Sequence, residues 1–191
     1  MAELSWQEGL LARKESQILI SLLSLQNTRV RDAMTPKIVV FSISQEITVG
    51  TYFREYGDKQ FSRIPVYQDG DNDHVTGFVL RNDLLLAQAK DEFDRPVLDF
   101  VRELPAVVSS TSLSKAFDDL LKQRAHIVLV VDEYGGTQGI LTLEDVLETI
   151  LGLEIVDESD AAHNMQDLAR ELWRQRALAK GLDPDILKNK D

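Results

Sequence analysis

A threonine and an aspartate three residues apart carry the clearest chemistry in this chain: Thr142 and Asp145, within Gly139-Ile-Leu-Thr-Leu-Glu-Asp-Val-Leu147. A glycine opens a short apolar run, Thr142 closes it, and Asp145 falls at the start of an apolar helix pattern. A hydroxyl and a carboxylate beside a helix N-terminus can bind a phosphate and a ribose. The helix start offers free backbone N–H groups and positive potential to the phosphate. Thr142 can donate to a phosphate oxygen, and Asp145 can accept from both ribose hydroxyls. Thr-x-x-Asp before an apolar run is also a capping box, which satisfies the helix's own N–H groups and needs no ligand. A second copy bears on that choice. Gly77-Phe-Val-Leu-Arg-Asn-Asp83 repeats the layout at an offset of 62 residues. Leu80 stands where Thr142 does, so a reciprocal cap is lost there, yet Asp83 remains. Capping alone does not explain that.

The elements that must position these residues repeat as well. Val30-Arg-Asp-Ala-Met34 matches Val97-Leu-Asp-Phe-Val101, a short helical turn in each half. Val39–Ser42 and Ala106–Ser109 read as strands. Amphipathic helices follow: Leu113, Phe117, Leu120 and Leu121 keep helical spacing, and Val49 with Phe53 begin the equivalent helix. Arg63–Tyr67 and His126–Val131 are the next strands, each turning into the strand that carries the glycine motif and then into the helix begun by Asp83 or Asp145. Each half is strand–helix–strand–strand–helix, too small a core to stand comfortably alone. Two tandem copies can bury their sheets against each other. The expected fold is α/β (α+β): two such units packed with pseudo-twofold symmetry and flanked by N- and C-terminal helices. Residues 1–27 form the N-terminal helix, 28–92 the first unit, 93–153 the second, and 154–191 an acidic linker with a helical tail. In the N-terminal helix, Leu4, Leu11, Ile18, Leu22 and Leu25 share one face, broadened by Ile20 and Leu23. Asp69–Asp73 begins like a calcium loop, but its twelfth position is Leu80 where a bidentate Glu is needed, so it reads as a hairpin turn. Tyr134–Gly139 joins two strands rather than opening a helix, and it too reads as a hairpin.

Bulk properties exclude several classes. At 191 residues, 43% apolar and 28% charged, the chain is an ordinary folded protein. A formal charge of −11 argues against nucleic-acid binding. There is no cysteine, which fits a reducing cytosol, and no apolar run approaches a membrane span, so the chain reads as soluble. The three histidines lack metal-ligand spacing, and no nucleophile–base arrangement or phosphate-binding glycine loop is apparent. No catalytic or metal residue is assigned.

Val30-Arg-Asp-Ala-Met-Thr-Pro36, Phe61-Ser-Arg-Ile-Pro-Val-Tyr67, Val130-Val-Asp-Glu-Tyr-Gly-Gly-Thr137 and Gly139–Glu148 together resemble a tandem pair of CBS domains, a Bateman module. More narrowly, the chain resembles the cytosolic module of the CNNM/CorC family of magnesium and cobalt transport proteins. The resemblance implies a regulatory module that binds an adenosine nucleotide, AMP or ATP with magnesium, and pairs into a disc-like homodimer. It also implies an attached membrane domain, a place on the cytoplasmic face of the plasma (inner) membrane, and a short-tailed member whose N-terminal helix is the connecting one. Carried over by position, Thr142 faces the phosphates and Asp145 the ribose. Leu104, Pro105 and Ala106 line the adenine with Ile127 and Val128, Arg63 reaches a phosphate across the pseudo-twofold axis, and Thr35 and Lys37 complete the set. Leu80 leaves Asp83 alone in the first unit, a possible weak second site. The alternatives are a dimerisation scaffold that binds no ligand and an enzyme acting on nucleotides.

Overall fold

The computed structural model describes residues 15–68, 74–152, 168–169 and 171–175. Helical residues 15–24 (α1) lead to a short helix α2 (Val30–Ala33), a two-residue strand β1 (Thr35–Pro36) and a 3-10 turn (Lys37–Val39). The first unit then runs β2 (Ile43–Ser44), α3 (Val49–Tyr56), β3 (Arg63–Tyr67), β4 (Val75–Leu80) and α4 (Arg81–Ala89). A 3-10 turn (Val97–Phe100) opens the second: β5 (Ala106–Val108), α5 (Leu113–Gln123), β6 (Ile127–Val131), β7 (Thr137–Thr142) and α6 (Leu143–Leu151). The expected strand–helix–strand–strand–helix order is present twice.

Local chemistry sets the boundaries. Thr48 and Ser112 cap α3 and α5 by accepting the N–H groups of Thr51 and Lys115. Gly152 ends α6 in the left-handed region at φ 62°, where a glycine carries no Cβ penalty. Along α5, Leu113, Ala116 and Leu120 are buried, the i, i+3, i+7 stripe that turns a helix toward a sheet.

Each unit has its own sheet and its own core. The first sheet runs β2-β3-β4 and encloses Val49, Tyr52, Ile64, Val66, Val79 and Leu84. The second runs β1-β7-β6-β5 and encloses Leu113, Leu120, Val128, Val130, Leu141 and Val146. The entry turns are exchanged between them. Val30, which precedes the first unit, is fully buried in the second unit's core, and Val97, which precedes the second, is fully buried in the first's. Fully burying a valine contributes about 1.5–3 kcal/mol, so each exchange ties one unit to the other.

The exchange also corrects an expectation. Val39–Ser42 is not a strand: the chain forms the 3-10 turn at Lys37–Val39 and reaches the sheet only at Ile43–Ser44, parallel to Val66 and Tyr67. Thr35 and Pro36 are first taken up by β7 of the other unit, opposite Ile140 and Gly139. The following residues must cross the seam between the sheets before pairing again.

In α1, Leu25 just beyond the helix is buried in the second unit's core with Ile18 against it, as expected. Leu22, Ile20 and Leu23 are exposed, because the face turned inward is the one carrying Ile18, Ser21 and Leu25. Leu4, Leu11, the Asp69–Asp73 turn and the acidic stretch after Gly152 lie outside the described residues; of the tail, 168–169 and 171–175 are helical. Among the described residues no helix is long and apolar enough to cross a membrane.

Candidate functional site

Most of the sequence-predicted residues come together at one end of the second sheet. Thr142 ends β7 directly opposite Ile127, the first residue of β6. Ala106 of β5 stands beside Leu129, whose N–H donates to the Pro105 carbonyl at 2.8 Å, with the half-buried Leu104 one residue earlier. On the other side of β7, Thr35 pairs with Ile140. Three segments distant in sequence therefore meet around the N-terminus of α6.

The faces sort the candidates further. Successive side chains on a strand point to opposite faces. Val128 and Val130 lie in the second unit's core, so the buried Ile127 and Leu129 face the other way, toward the seam. Val128 therefore acts as core, and it cannot line a ligand on the seam face as the sequence suggested. Lys37 lines a small cavity in that seam with Val40, Pro65, Leu129, Gly139 and Ile140, and it already interacts with a neighbour. The half-buried Thr35 hydroxyl makes no hydrogen bond to a described residue.

Thr142 and Asp145 close on each other. The Asp145 carboxylate accepts the Thr142 backbone N–H at 2.6 Å and the Thr142 hydroxyl at 2.7 Å, while the Asp145 N–H donates to the Thr142 oxygen at 3.2 Å. This is a complete capping box. Both bonds to the carboxylate use Oδ2, which leaves Oδ1 to accept from a diol. The Thr142 proton is committed to Asp145, so donation to a phosphate requires the hydroxyl to turn. Burial pushes the Asp145 carboxyl up to about 6, against the lowering effect of the two Thr142 bonds, and Glu148 and Glu144 nearby push the same way.

Arg63 is not brought to this group. It begins β3 in the first unit's sheet opposite Leu80, the place that Ile127 holds opposite Thr142. Its half-buried side chain makes no hydrogen bond or ion pair with a described residue. Asp83 is not alone: the Arg102 guanidinium donates to its carboxylate at 2.7 Å. The sequence reading missed Arg102, although the match of Val30–Met34 with Val97–Val101, carried one residue further, sets Arg102 against Thr35. The glycine-rich turn is the expected hairpin. Its N–H groups at Tyr134 and Gly136 donate to Asp132 at 2.9 and 2.8 Å, which holds that carboxyl below the usual range.

Comparison with known proteins bears on what such an arrangement does. The CBS domain family matches residues 30–90 and 97–152. The chain is 30% identical over 177 residues to the magnesium and cobalt efflux protein CorC of Escherichia coli, covering 92% of this chain and 60% of that one. The chain spans about half to three-fifths of the length of the curated relatives it matches. Its fold superposes with a TM-score of 0.68 and 33% identity on the CBS domain of the bacterial CNNM/CorC family magnesium transporter solved in complex with ATP, covering 73% of this chain and 98% of that one. A CBS-domain pair with bound AMP from Klebsiella pneumoniae superposes with a TM-score of 0.58 and 29% identity, covering 65% of this chain and 99% of that one.

Proposed function

The chain belongs to the CBS domain family, in its CNNM/CorC branch, and from that premise we propose that it is the nucleotide-sensing module of a membrane magnesium and cobalt transport protein. An adenosine nucleotide sits at the Thr142–Asp145 end of the second unit. Asp145 accepts from the ribose, and Thr142 and the α6 N-terminus receive the phosphates. Ile127 and the Leu104–Ala106 turn flank the base, and the Thr35 hydroxyl, which has no hydrogen bond to a described residue, adds a donor. The observation that carries this is the half-buried Asp145 carboxylate at the N-terminus of α6, pushed up to about 6 by burial, with both of its hydrogen bonds on Oδ2 and Oδ1 left to accept. Relatives solved with ATP and with AMP support it. Ligand binding shifts the module between arrangements of its two units and biases the attached membrane domain from the cytoplasmic face, to the extent that the two arrangements differ in affinity. The role is binding, not turnover. Thermal shift with AMP, ADP and ATP, each with and without magnesium, tests the reading, since a ligand bound only to the native state raises the melting temperature. No shift with any of them favours the second reading, a scaffold without ligand, which the mutual capping of Thr142 and Asp145 would satisfy.

Magnesium should discriminate between nucleotides. ATP carries up to four negative charges into a chain of formal charge −11, with Glu144 and Glu148 beside Asp145. Like charges in a partly desolvated cleft repel strongly, and a divalent cation bridging the outer phosphates removes most of that repulsion. Titration should find ATP bound at least about tenfold tighter in magnesium than in chelator, with AMP nearly unchanged. Equal ATP affinity in both would defeat this account.

The module is also proposed to pair with a second copy. Leu86 on α4, Leu121 on α5, and Leu147 and Leu151 on α6 are 37–54% exposed, more apolar surface than a solitary module needs. Sedimentation at micromolar concentration should give a dimer, and a monomer alone would count against it.

A further inference from the structure

The first unit carries a copy of the site that the protein itself fills. Phe78 and Ile140 occupy equivalent places, 62 residues apart. Thr35 pairs with Ile140, and Arg102 pairs with Phe78 through two backbone hydrogen bonds of 3.0 and 2.8 Å. Arg102 therefore stands in the first unit where Thr35 stands in the second. Thr35 is short and neutral, and no hydrogen bond joins its hydroxyl to Asp145. Arg102 is long and charged, and its Nη2 lies 2.7 Å from the Asp83 Oδ2. Asp83 and Asp145 are both the third residue of their helices. Asp145 has a threonine to turn to at its helix cap. Asp83 has Leu80 there and turns to the guanidinium instead.

We infer that Arg102 is a built-in ligand of the first unit, holding the carboxylate edge that a ribose would need and so limiting the module to one nucleotide per chain. The inference rests on the nucleotide reading of the second unit. Two changes close the first site, and they act on different parts of a nucleotide. Leu80 removes the donor to the phosphate, and Arg102 occupies the acceptor for the ribose. The guanidinium neutralises Asp83 and holds its Oδ2, so a ribose diol that uses this oxygen must break the ion pair, whose carboxylate is 26% exposed. Restoring the threonine alone therefore leaves the site closed.

Calorimetric titration with AMP tests this on four proteins: the unaltered chain, Leu80→Thr, Arg102→Thr, and the double variant. Expected are one equivalent per chain for the first two and two for the double variant, the second weaker than the first. Arg102→Thr alone should gain a second equivalent of adenosine, which needs no phosphate donor. Two equivalents in the unaltered chain or in Leu80→Thr would overturn the inference, as would one equivalent in a double variant with native circular dichroism and cooperative melting. Asp145→Ala in the double variant separates the two readings. The remaining equivalent should persist there and vanish when Asp83→Ala is added. If the unaltered chain binds no AMP, the nucleotide reading of the second unit fails. A single equivalent in the double variant, dependent on Asp83, would then still support the role of Arg102. Absence of binding in every variant sinks both.

Discussion

Asp145→Asn is expected to raise the melting temperature at pH 8 and to weaken adenosine nucleotides at the same time. The folded-state carboxyl is pushed from the ordinary 3.8 to about 6 by burial, so the native state binds its proton more tightly than the unfolded chain does. Below about pH 4 both states are protonated and the group is neutral to stability. As pH rises through 6 the native state must hold a buried charge, and stability falls by roughly 3 kcal/mol over that window, at about 1.4 kcal/mol per unit. Asparagine keeps an oxygen to accept the Thr142 N–H and hydroxyl but never ionises. Its advantage should therefore be several degrees at pH 8, shrink between pH 6 and 4, and close below about pH 4. A pH-independent difference, or none, would refute the assignment. Binding should move the opposite way, because a lost hydrogen bond to a charged group is worth roughly 1.5–3 kcal/mol, about tenfold or more in affinity. Adenosine, which has no titrating phosphate, should also bind the unaltered chain progressively less well below pH 6. The stability gain follows from burial alone, so it is the accompanying loss of affinity that identifies a carboxylate kept for a ligand.

How much of this was legible beforehand depends on distance along the chain. The Thr142–Asp145 pair and its copy at Asp83 are local patterns, and the periodicity around them marks strands and helices by the direction in which side chains must face. Both repeats, the hairpin at Tyr134–Gly139 and the apolar face of α5 are of this kind. The strand expected at Val39–Ser42 was not, because local pattern cannot say that Thr35 and Pro36 pair first with the other unit. The same exchange decides which core receives Val30 and Val97. Val128 is misassigned for a related reason. In a strand apolar throughout, such as Ile127–Val131, the sequence does not reveal which residues face the core and which the seam. Arg102 was legible only through the repeat, by position and not by type.

The strongest structural consequence falls on Gly139, whose place in the motif is explained by the β1 backbone packed against it. A Cβ on Gly139 would run into the Thr35 carbonyl oxygen, and it would stand 3.1 Å from the Thr35 carbonyl carbon and 3.2 Å from the Lys37 nitrogen. These are backbone atoms and cannot rotate aside. Gly77 meets the equivalent obstacle, the Arg102 carbonyl and the Val101 Cγ1 at 2.6 Å, which is why a glycine recurs in both copies. Gly139→Val should lift β1 from β7, carry Thr35 and Lys37 away from the α6 N-terminus and open the seam. Overpacking at a fixed contact costs about 1–3 kcal/mol, and the lost strand pairing adds to it, so stability should fall by more than roughly 2 kcal/mol and AMP affinity by at least about tenfold. Gly135→Ala is the control. Gly135 has φ 86° with open space around it, at the hairpin end of β6 and β7 away from Thr142. It should lose about 1 kcal/mol through backbone strain and keep the affinity of the unaltered chain. Melting curves and AMP titrations on both variants decide it: if Gly139→Val keeps native stability and affinity, the pairing of β1 with β7 does not build the site.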